Sequence, residues 1–269
     1  GTKDDQVHLC SPETAAASAL TGKITDPRDI ASLYAMEYPQ FEDPELHIIN
    51  EDMLVAPAED GSQVERKKGP NIKSLPEIEA LKSNYEVPVL LKMQDNISTD
   101  EILKAGAEVL PFRSNLPEIS KYSYTVIDET FYDRAMETKE KAGGHIVVAG
   151  DNYAQGSSRE HAALAPKYLG QVAVIAKSYA RIAWQNLVNF GILPLEFENP
   201  DDLEKIEQGD TVKFKNLRQL VENRATIEVL IKKETGEVSI PTKHSLSDRQ
   251  IRVLLKGGII NDFKEKLSA

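Results

Sequence analysis

Twelve consecutive residues carry the densest set of reactive side chains in this sequence. Residues 150–161 read Gly-Asp-Asn-Tyr-Ala-Gln-Gly-Ser-Ser-Arg-Glu-His. Asx and glycine residues favour turns, whereas residues 160–164 favour a helix, so Ser157 or Ser158 is the expected N-cap. Unpaired N–H groups at a helix start attract anions, and Arg159 adds a fixed positive charge. The segment therefore predicts a small pocket for a carboxylate or a phosphate.

Two other interpretations fit the same residues. An ordinary capped helix followed by a surface arginine is common, because serine is a frequent N-cap. A serine-nucleophile hydrolase is the other possibility, but Gly156-Ser157-Ser158 lacks the Gly-x-Ser-x-Gly elbow. No acid–histidine pair follows it in the order that such a triad needs. The local pattern alone leaves the choice open.

Composition limits the classes of protein that the chain can represent. The 269 residues are 41% hydrophobic and carry a formal charge of −11, which fits a globular protein of one large or two modest domains. The acidic balance argues against nucleic-acid binding, and no apolar run is long enough to span a membrane. The start of the sequence also lacks the apolar core of a secretory signal, so we expect a cytoplasmic location.

The cysteine and histidine residues of the sequence predict no metal site within this chain. Cys10 is the single cysteine, so no intramolecular disulfide can form and no full set of iron–sulfur ligands is present. We expect Cys10 to be a small packed side chain, which is usual for free cysteine. The five histidines show no zinc-type spacing.

Alternating strands and helices are predicted around the reactive segment. The predicted strands are residues 87–93, 145–149, 171–176 and 192–197, and the predicted helices are residues 132–141, 160–164 and 179–190. Such alternation implies parallel pairing with right-handed crossovers. Ligands in these folds gather at the carboxyl ends of the strands, which is where the loop of residues 150–158 falls.

The remaining segments predict smaller elements. Ser98 or Thr99 can cap a short helix whose first turn holds Asp100 and Glu101. Further predictions are a helix at residues 12–20, a proline-rich connector over residues 30–85, strands at 211–214, 226–231 and 238–240, a hairpin turn at Glu234-Thr235-Gly236-Glu237, and a helix opening at Ser247.

Several motifs in order carry a family resemblance. Gly-Ser-Ser-Arg-Glu-His-Ala-Ala at residues 156–163 closely resembles the signature of the swivel domain of the aconitase superfamily. Asp-Asn-Ile-Ser-Thr-Asp-Glu-Ile at residues 95–102 resembles that domain's opening motif, and residues 177–182 and 189–195 fit its following segments. Residues 11–13 and the alanine-rich helix look like the end of the cluster-bearing domain. The resemblance covers essentially the whole chain.

The resemblance implies the fold and the domain organisation. The fold is α/β, a swivelling β/β/α domain with a mixed, partly parallel sheet or barrel flanked by helices, preceded by an extended linker. Residues 1–30 correspond to a C-terminal remnant of the cluster-bearing domain, residues 31–85 to the linker and residues 86–269 to the swivel domain.

The resemblance also implies a function. It predicts the C-terminal part of a hydro-lyase of the tricarboxylic acid cycle that interconverts citrate and isocitrate via cis-aconitate, in a single-chain aconitase of prokaryotic type. The 4Fe–4S cluster would be bound by cysteines outside this chain, in cluster-bearing domains that act in cis or in trans, so the isolated chain is expected to be inactive. The alternatives are a small-subunit-like component of an isopropylmalate or homoaconitate isomerase, and a non-catalytic module that binds carboxylates or RNA.

Residue roles follow by matching the motifs position by position. Ser157 corresponds to the catalytic base, acting as an alkoxide, and Ser158 and Arg159 correspond to substrate contacts. Arg113 falls close to the place of a carboxylate-binding arginine, whose planar guanidinium can grip a carboxylate through two parallel hydrogen bonds.

A second motif is implied to support the site. Thr99 and Asp100 match a Thr-Asp pair in which the threonine lies at the substrate and the acid supports catalysis. The chain departs from the family at Glu101-Ile102-Leu103, where some aconitases have His-Ile-Ser. Leu103 stands in place of that serine and cannot perform any role of its hydroxyl. His161 is expected to be a structural helix residue.

Overall fold

The computed structural model describes residues 8–35, 37, 40, 42–45, 49–233 and 236–268, which belong to two units, residues 1–65 and 66–269. In the first unit, α1 (Pro12–Thr21) confirms the predicted helix, with Ser11 as its N-cap. A second helix, α2 (Ile30–Tyr34), lies where the sequence predicts only an extended connector. Cys10 is exposed, so the prediction of a packed side chain is wrong.

The second unit contains a closed barrel of seven strands, in the order β1-β2-β3-β4-β7-β6-β5. Strands β1 to β4 pair in parallel, and the other neighbours are antiparallel. This confirms a mixed, partly parallel barrel. Glu234 and Thr235 of the predicted hairpin turn lie outside the described residues. The strands are β1 (Tyr85–Lys92), β2 (His145–Ala149), β3 (Gln171–Ala176), β4 (Leu193–Phe197), β5 (Thr211–Phe214), β6 (Ile227–Lys233) and β7 (Gly236–Lys243).

Helices flank the barrel, and three of them connect its parallel strands. The last helix before β2 is α5 (Phe131–Ala142), α6 (His161–Tyr168) lies between β2 and β3, and α7 (Arg181–Asn189) lies between β3 and β4, as the predicted alternation requires. Among the described residues, no helix is both long and apolar enough to cross a lipid bilayer. The helices are α3 (Thr99–Ile102), α4 (Leu116–Ile119), α5 (Phe131–Ala142), α6 (His161–Tyr168), α7 (Arg181–Asn189), α8 (Leu217–Glu222), α9 (Asp248–Leu255) and α10 (Ile259–Ser268).

Strand β2 illustrates how the core forms on both sides of the sheet. Ile146 and Val148 pack in one apolar cluster, together with residues of the antiparallel strands. Val147 and Ala149 point the other way, into a cluster that they share with helix residues such as Phe131. Because successive side chains of a strand face opposite sides, a strand covered on both faces reads as a continuous apolar run.

His145 is a fully buried titratable group at the start of β2. Its ring packs edge-to-face on Phe131, with 5.5 Å between the ring centroids. Burial, and to a smaller extent the positive charge of Arg134, lowers the pKa of His145 to about 3. The folded state therefore holds this ring neutral at pH values where the unfolded chain protonates it.

We expect acid to destabilise the fold through His145. The contribution is fully present above the unfolded pKa of about 6.5 and is lost at up to about 1.4 kcal/mol per pH unit as the pH falls toward the folded value. In urea unfolding, His145→Phe should lose about 2 kcal/mol less than the unsubstituted protein between about pH 7 and about pH 5. The exposed His8 provides the control, His8→Phe. An unchanged acid sensitivity in His145→Phe would contradict this account.

Candidate active site

The loop of residues 150–160 leaves β2 at the carboxyl end of the parallel strands and lies beside the segment that follows β1. The Asn96 amide donates to the Asp151 carbonyl at 2.7 Å, and the Gln155 amide donates to the Ile97 carbonyl at 3.0 Å. The Thr99 amide donates in turn to the Gln155 carbonyl at 2.9 Å. This ladder joins the two sequence motifs, residues 95–102 and 150–161, through pairs of residues that are more than fifty positions apart.

Gly150 allows the two segments to approach this closely. The Asp95 carboxylate accepts a hydrogen bond from the Asp151 amide at 2.8 Å. A Cβ atom at position 150 would lie 1.8 Å from Asp95 Oδ1 and 2.9 Å from the Asp95 amide nitrogen. Only glycine leaves room for this contact.

We expect Gly150→Ala to destabilise the second unit by about 1–3 kcal/mol, which is typical of forced overpacking. Urea unfolding measures the change. Gly106→Ala is the matched control, since its Cβ would meet the nearest atom, Glu108 Cγ, at an ordinary 3.7 Å. Equal effects of the two substitutions would show that the Asp95 contact does not constrain the loop.

A buried tyrosine anchors the loop to the core. The side chain of Tyr153 is buried, and its hydroxyl lies 2.7 Å from the hydroxyl of Tyr124. The Tyr124 hydroxyl donates to Gln171 Oε1 at 3.0 Å. Because this anchor lies four residues before Ser157, it fixes the point from which the reactive segment extends.

Thr99 holds the backbone of Ser157. Ser98 is the N-cap of α3 and forms a capping box with Glu101, which leaves Thr99 as the first residue of the helix. Thr99 is 3% exposed, and its hydroxyl accepts a hydrogen bond from the Ser157 amide at 3.1 Å. In this structure Thr99 therefore contacts Ser157.

Arg159 fastens the reactive loop to α3. Its Nη2 donates to Asp100 Oδ1 at 2.8 Å, and its Nη1 donates to the carbonyl of Leu103. The Arg159 side chain is 15% exposed, whereas the Asp100 side chain is 67% exposed. Much of the guanidinium's hydrogen-bonding capacity is thus used within the protein.

The structure corrects the predicted N-cap of α6. The helix begins at His161, and Glu160 occupies the cap position with helical dihedrals and no side-chain hydrogen bond. Ser157 and Ser158 are exposed in the loop before it, held by the Ser157 amide contact to Thr99 and by Asn186 Nδ2, which donates to the Ser158 carbonyl at 3.4 Å. Contacts outside the helix therefore override the local capping preference.

Arg113 and His161 lie near Arg159, in a cleft that Ser157 and Thr99 do not line. His161 Nε2 donates to the Arg113 carbonyl at 2.8 Å, so the first residue of α6 fixes the backbone that carries the Arg113 side chain. Arg113 is exposed and, together with Arg159 and His161, lines a small cleft. A second cleft is lined by Thr99, Ser157 and Arg159. Arg159 is common to both clefts.

Sequence reasoning thus found residues that the fold brings to one face, but it missed several that hold them. Asn186 and Tyr124 lie outside the motifs, and Tyr153 lies within residues 150–161 without being assigned a role there. All three act through contacts between distant segments. The only local signal was the turn-forming composition before Ser157. The contact of His161 with Arg113 is likewise a long-range one.

The described residues do not fit an iron–sulfur cluster or another metal. Among them, no group of three or more histidine, cysteine, aspartate or glutamate side chains could hold a metal ion. Cys10 alone could supply a thiolate, and a 4Fe–4S cluster takes several. The chemistry that these residues offer is anion binding and proton transfer.

Comparison with known proteins gives consistent matches. Residues 90–200 match the family of the aconitase C-terminal domain. The mitochondrial aconitate hydratase of Gracilaria gracilis is 30% identical over 98% of this chain, and the mitochondrial homocitrate dehydratase of Saccharomyces cerevisiae is 36% identical over 74% of it. The chain spans only 38% and 28% of the lengths of these two relatives.

A solved structure matches the fold. The crystal structure of 3-isopropylmalate dehydratase from Methanocaldococcus jannaschii aligns with a TM-score of 0.52 at 29% sequence identity. The alignment covers 68% of this chain and 95% of that one.

Proposed function

Because the chain belongs to the aconitase superfamily and carries its C-terminal domain, we propose that it supplies the base and the carboxylate-binding groups of a hydro-lyase. The proposed reaction interconverts citrate and isocitrate via cis-aconitate. The observation that carries the proposal is the bonding of Ser157, Thr99, Arg159 and Asp100 into one unit at the carboxyl ends of the strands. In this proposal residues 1–30 are a C-terminal remnant of the cluster-bearing domain, residues 31–85 are the linker and residues 86–269 are the swivel domain.

Ser157 is the proposed base. The reaction removes a carbon-bound proton, and a hydroxyl does this only if its anion is stabilised. The Ser157 side chain is exposed to an incoming substrate, while its amide is fixed by Thr99. The positive charge of Arg159 lies in the same cleft, where it favours the alkoxide and an anionic substrate.

Arg113 is the proposed clamp for a substrate carboxylate. Its side chain is exposed, its backbone is fixed by His161, and it makes no ion pair with the residues that the structure describes. A guanidinium without such a partner can accept a carboxylate through two parallel bonds. Ser158 is the proposed neighbouring substrate contact, and Asp100 acts by holding Arg159.

The partner is the cluster-bearing part of the same enzyme, in the same polypeptide or in another subunit. The 4Fe–4S cofactor belongs to that part, since this chain offers only one exposed cysteine. The cytoplasmic location and the prokaryotic type stay predictions, and both relatives reported above carry mitochondrial names.

A second substrate class has specific support. The alignment takes in 95% of the 3-isopropylmalate dehydratase chain, and the homocitrate dehydratase is the more similar of the two relatives by identity. A component of an isopropylmalate or homoaconitate isomerase would use the same serine and arginines on a different acid.

Complementation tests the proposal. The chain is combined with the cluster-bearing part of an aconitase, and hydration of cis-aconitate, homoaconitate and isopropylmaleate is followed by loss of the double-bond absorbance. We expect turnover of cis-aconitate by the combination and none by the chain alone. A preference for isopropylmaleate or homoaconitate would favour the second class, and turnover by the chain alone would contradict the proposal.

A further inference from the structure

A second cavity lies at the opposite end of the parallel strands from the candidate active site. Its volume is about 270 Å³, and its lining includes Tyr85 at the start of β1, Gly143 just before β2 and Gln171 at the start of β3. Because parallel strands all begin at one edge of the sheet, this cavity is at the far edge from the loop of residues 150–160.

Three lysines and two glutamates give this cavity a small excess of positive charge. Lys82, Lys139 and Lys167 all line it. Lys82 is paired with Glu79 at 2.9 Å. Neither Lys139 nor Lys167 has a carboxylate within 4.0 Å among the residues that the structure describes. Two ammonium groups without a close carboxylate thus share one cavity, which Glu77 and Glu79 also line.

Both ammonium groups also have spare hydrogen-bond donors. Lys139 Nζ donates to the Tyr168 carbonyl at 2.5 Å, and Lys167 Nζ donates to the Gly191 carbonyl at 2.8 Å. An ammonium has three donors, and these bonds use one on each residue. Lys139 Nζ also lies over the Tyr168 ring, 4.7 Å from its centroid. A ligand with two or more anionic oxygens would satisfy the charge and the remaining donors together.

Apolar side chains form much of the remaining wall. They come from different parts of the second unit and are Pro76, Ile78, Leu116, Leu164 and Val172. The cavity is much larger than one anionic group needs, so its apolar wall can contact a carbon skeleton attached to that group.

We propose that this cavity binds a small organic anion, through a carboxylate or a phosphate group held between Lys139 and Lys167. The site is separate from the candidate active site, and the proposal does not depend on the proposed hydro-lyase function. It assigns to the domain a second anion site on the edge that faces away from Ser157.

A purely structural role for the lysines makes a different prediction. Lysine side chains near the ends of helices stabilise the terminal carbonyl groups, and Tyr168 is the last residue of α6. That role accounts for the bond from Lys139 to Tyr168, whereas Lys167 bonds Gly191, two residues beyond the end of α7. It does not predict that an added anion changes the chemical reactivity of either one.

The reactivity of Lys167 provides the readout. Burial, against the opposing charge of Glu79 and with smaller contributions from the charges of Lys82 and Lys139, lowers its pKa to about 8. Burial also lowers the pKa of Lys139. Glu77, Tyr85 and Tyr168 complete the titratable groups that line the cavity. An anion bound beside Lys167 favours the charged form and so raises its pKa.

Competitive acetylation tests the proposal directly. The whole chain is treated with limiting acetic anhydride near neutral pH, and the acetylation of each lysine is measured by peptide mass spectrometry with and without added anion. A rise of about one unit in the pKa of Lys167 lowers its neutral fraction, and hence its labelling rate, about tenfold. Inorganic phosphate and butyrate are the two probes, with sodium chloride at matched ionic strength as the reference.

Two controls separate binding from general salt effects. Lys121 is exposed and paired with Glu118 at 2.8 Å, so its labelling should not respond to either probe. Lys139→Met should abolish the protection of Lys167, and circular dichroism verifies that this variant is folded. Protection by phosphate alone, or by butyrate alone, identifies the anionic group. Absence of protection by both probes, or equal protection in Lys139→Met, would overturn the proposal.

Discussion

Ser157→Ala is expected to lower kcat of the complete hydro-lyase by about a thousandfold or more while KM stays within about threefold, as for the loss of an essential proton-transfer group. The substitution removes one exposed oxygen. The Ser157 amide keeps its bond to the Thr99 hydroxyl, and Arg113 and Arg159 keep their positions. Substrate binding should therefore persist when the chemical step is lost.

Ser158→Ala is the matched control for this prediction. The two serines are adjacent and both are exposed, but only the Ser157 amide is bonded to Thr99. Steady-state kinetics of both variants should give a rise in KM for Ser158→Ala and a fall in kcat for Ser157→Ala. Near-normal turnover in Ser157→Ala would refute its assignment as the base.

Arg159→Met is expected to lower kcat/KM by about a hundredfold, since misplacing a catalytic group by about 1 Å has effects of that size. The residue joins the loop to α3 through Asp100 and the Leu103 carbonyl. Its loss frees the segment that carries Ser157 and leaves a buried carbonyl without its donor. These contacts predict a fall in kcat in addition to any loss of substrate affinity.

Three further variants separate positioning from substrate binding. Arg159→Lys should restore little of the activity that Arg159→Met loses, because one ammonium cannot reproduce the forked guanidinium that reaches two acceptors. Asp100→Asn should have a smaller effect than Arg159→Met, since the bond to Leu103 remains. Arg113→Met should mainly raise KM. An Arg159→Met enzyme with unchanged kcat would contradict the positioning role.

The sequence predicted the parallel half of the barrel well, because each of those strands is mostly apolar. The bounds of β2, β3 and β5 agree with the predicted strands. The closure of the barrel between β5 and β1 could not be predicted, since no local pattern encodes that pairing. Helices α8 and α10 were missed as well, and each carries only one or two buried residues.

The candidate site was predictable as a set of residues but not as a geometry. The motifs around Ser157 and Asp100 gave the chemical groups, and the fold brings them into contact. The predicted helix cap was wrong: the helix begins at His161, and Ser157 lies in the loop before it with its amide bonded to the Thr99 hydroxyl, which is distant in sequence. The hydrogen bonds from Arg159 to Asp100 and to the Leu103 carbonyl likewise join residues that are more than fifty positions apart.

The most direct test of the central proposal is a crystal structure of the complete enzyme with isocitrate bound. The decisive quantity is the distance from Ser157 Oγ to the substrate carbon that loses its proton. We predict about 3.5 Å or less, the separation from which a group can react, with a substrate carboxylate on Arg113. A substrate bound elsewhere, with Ser157 Oγ beyond reach of that carbon, would contradict the account.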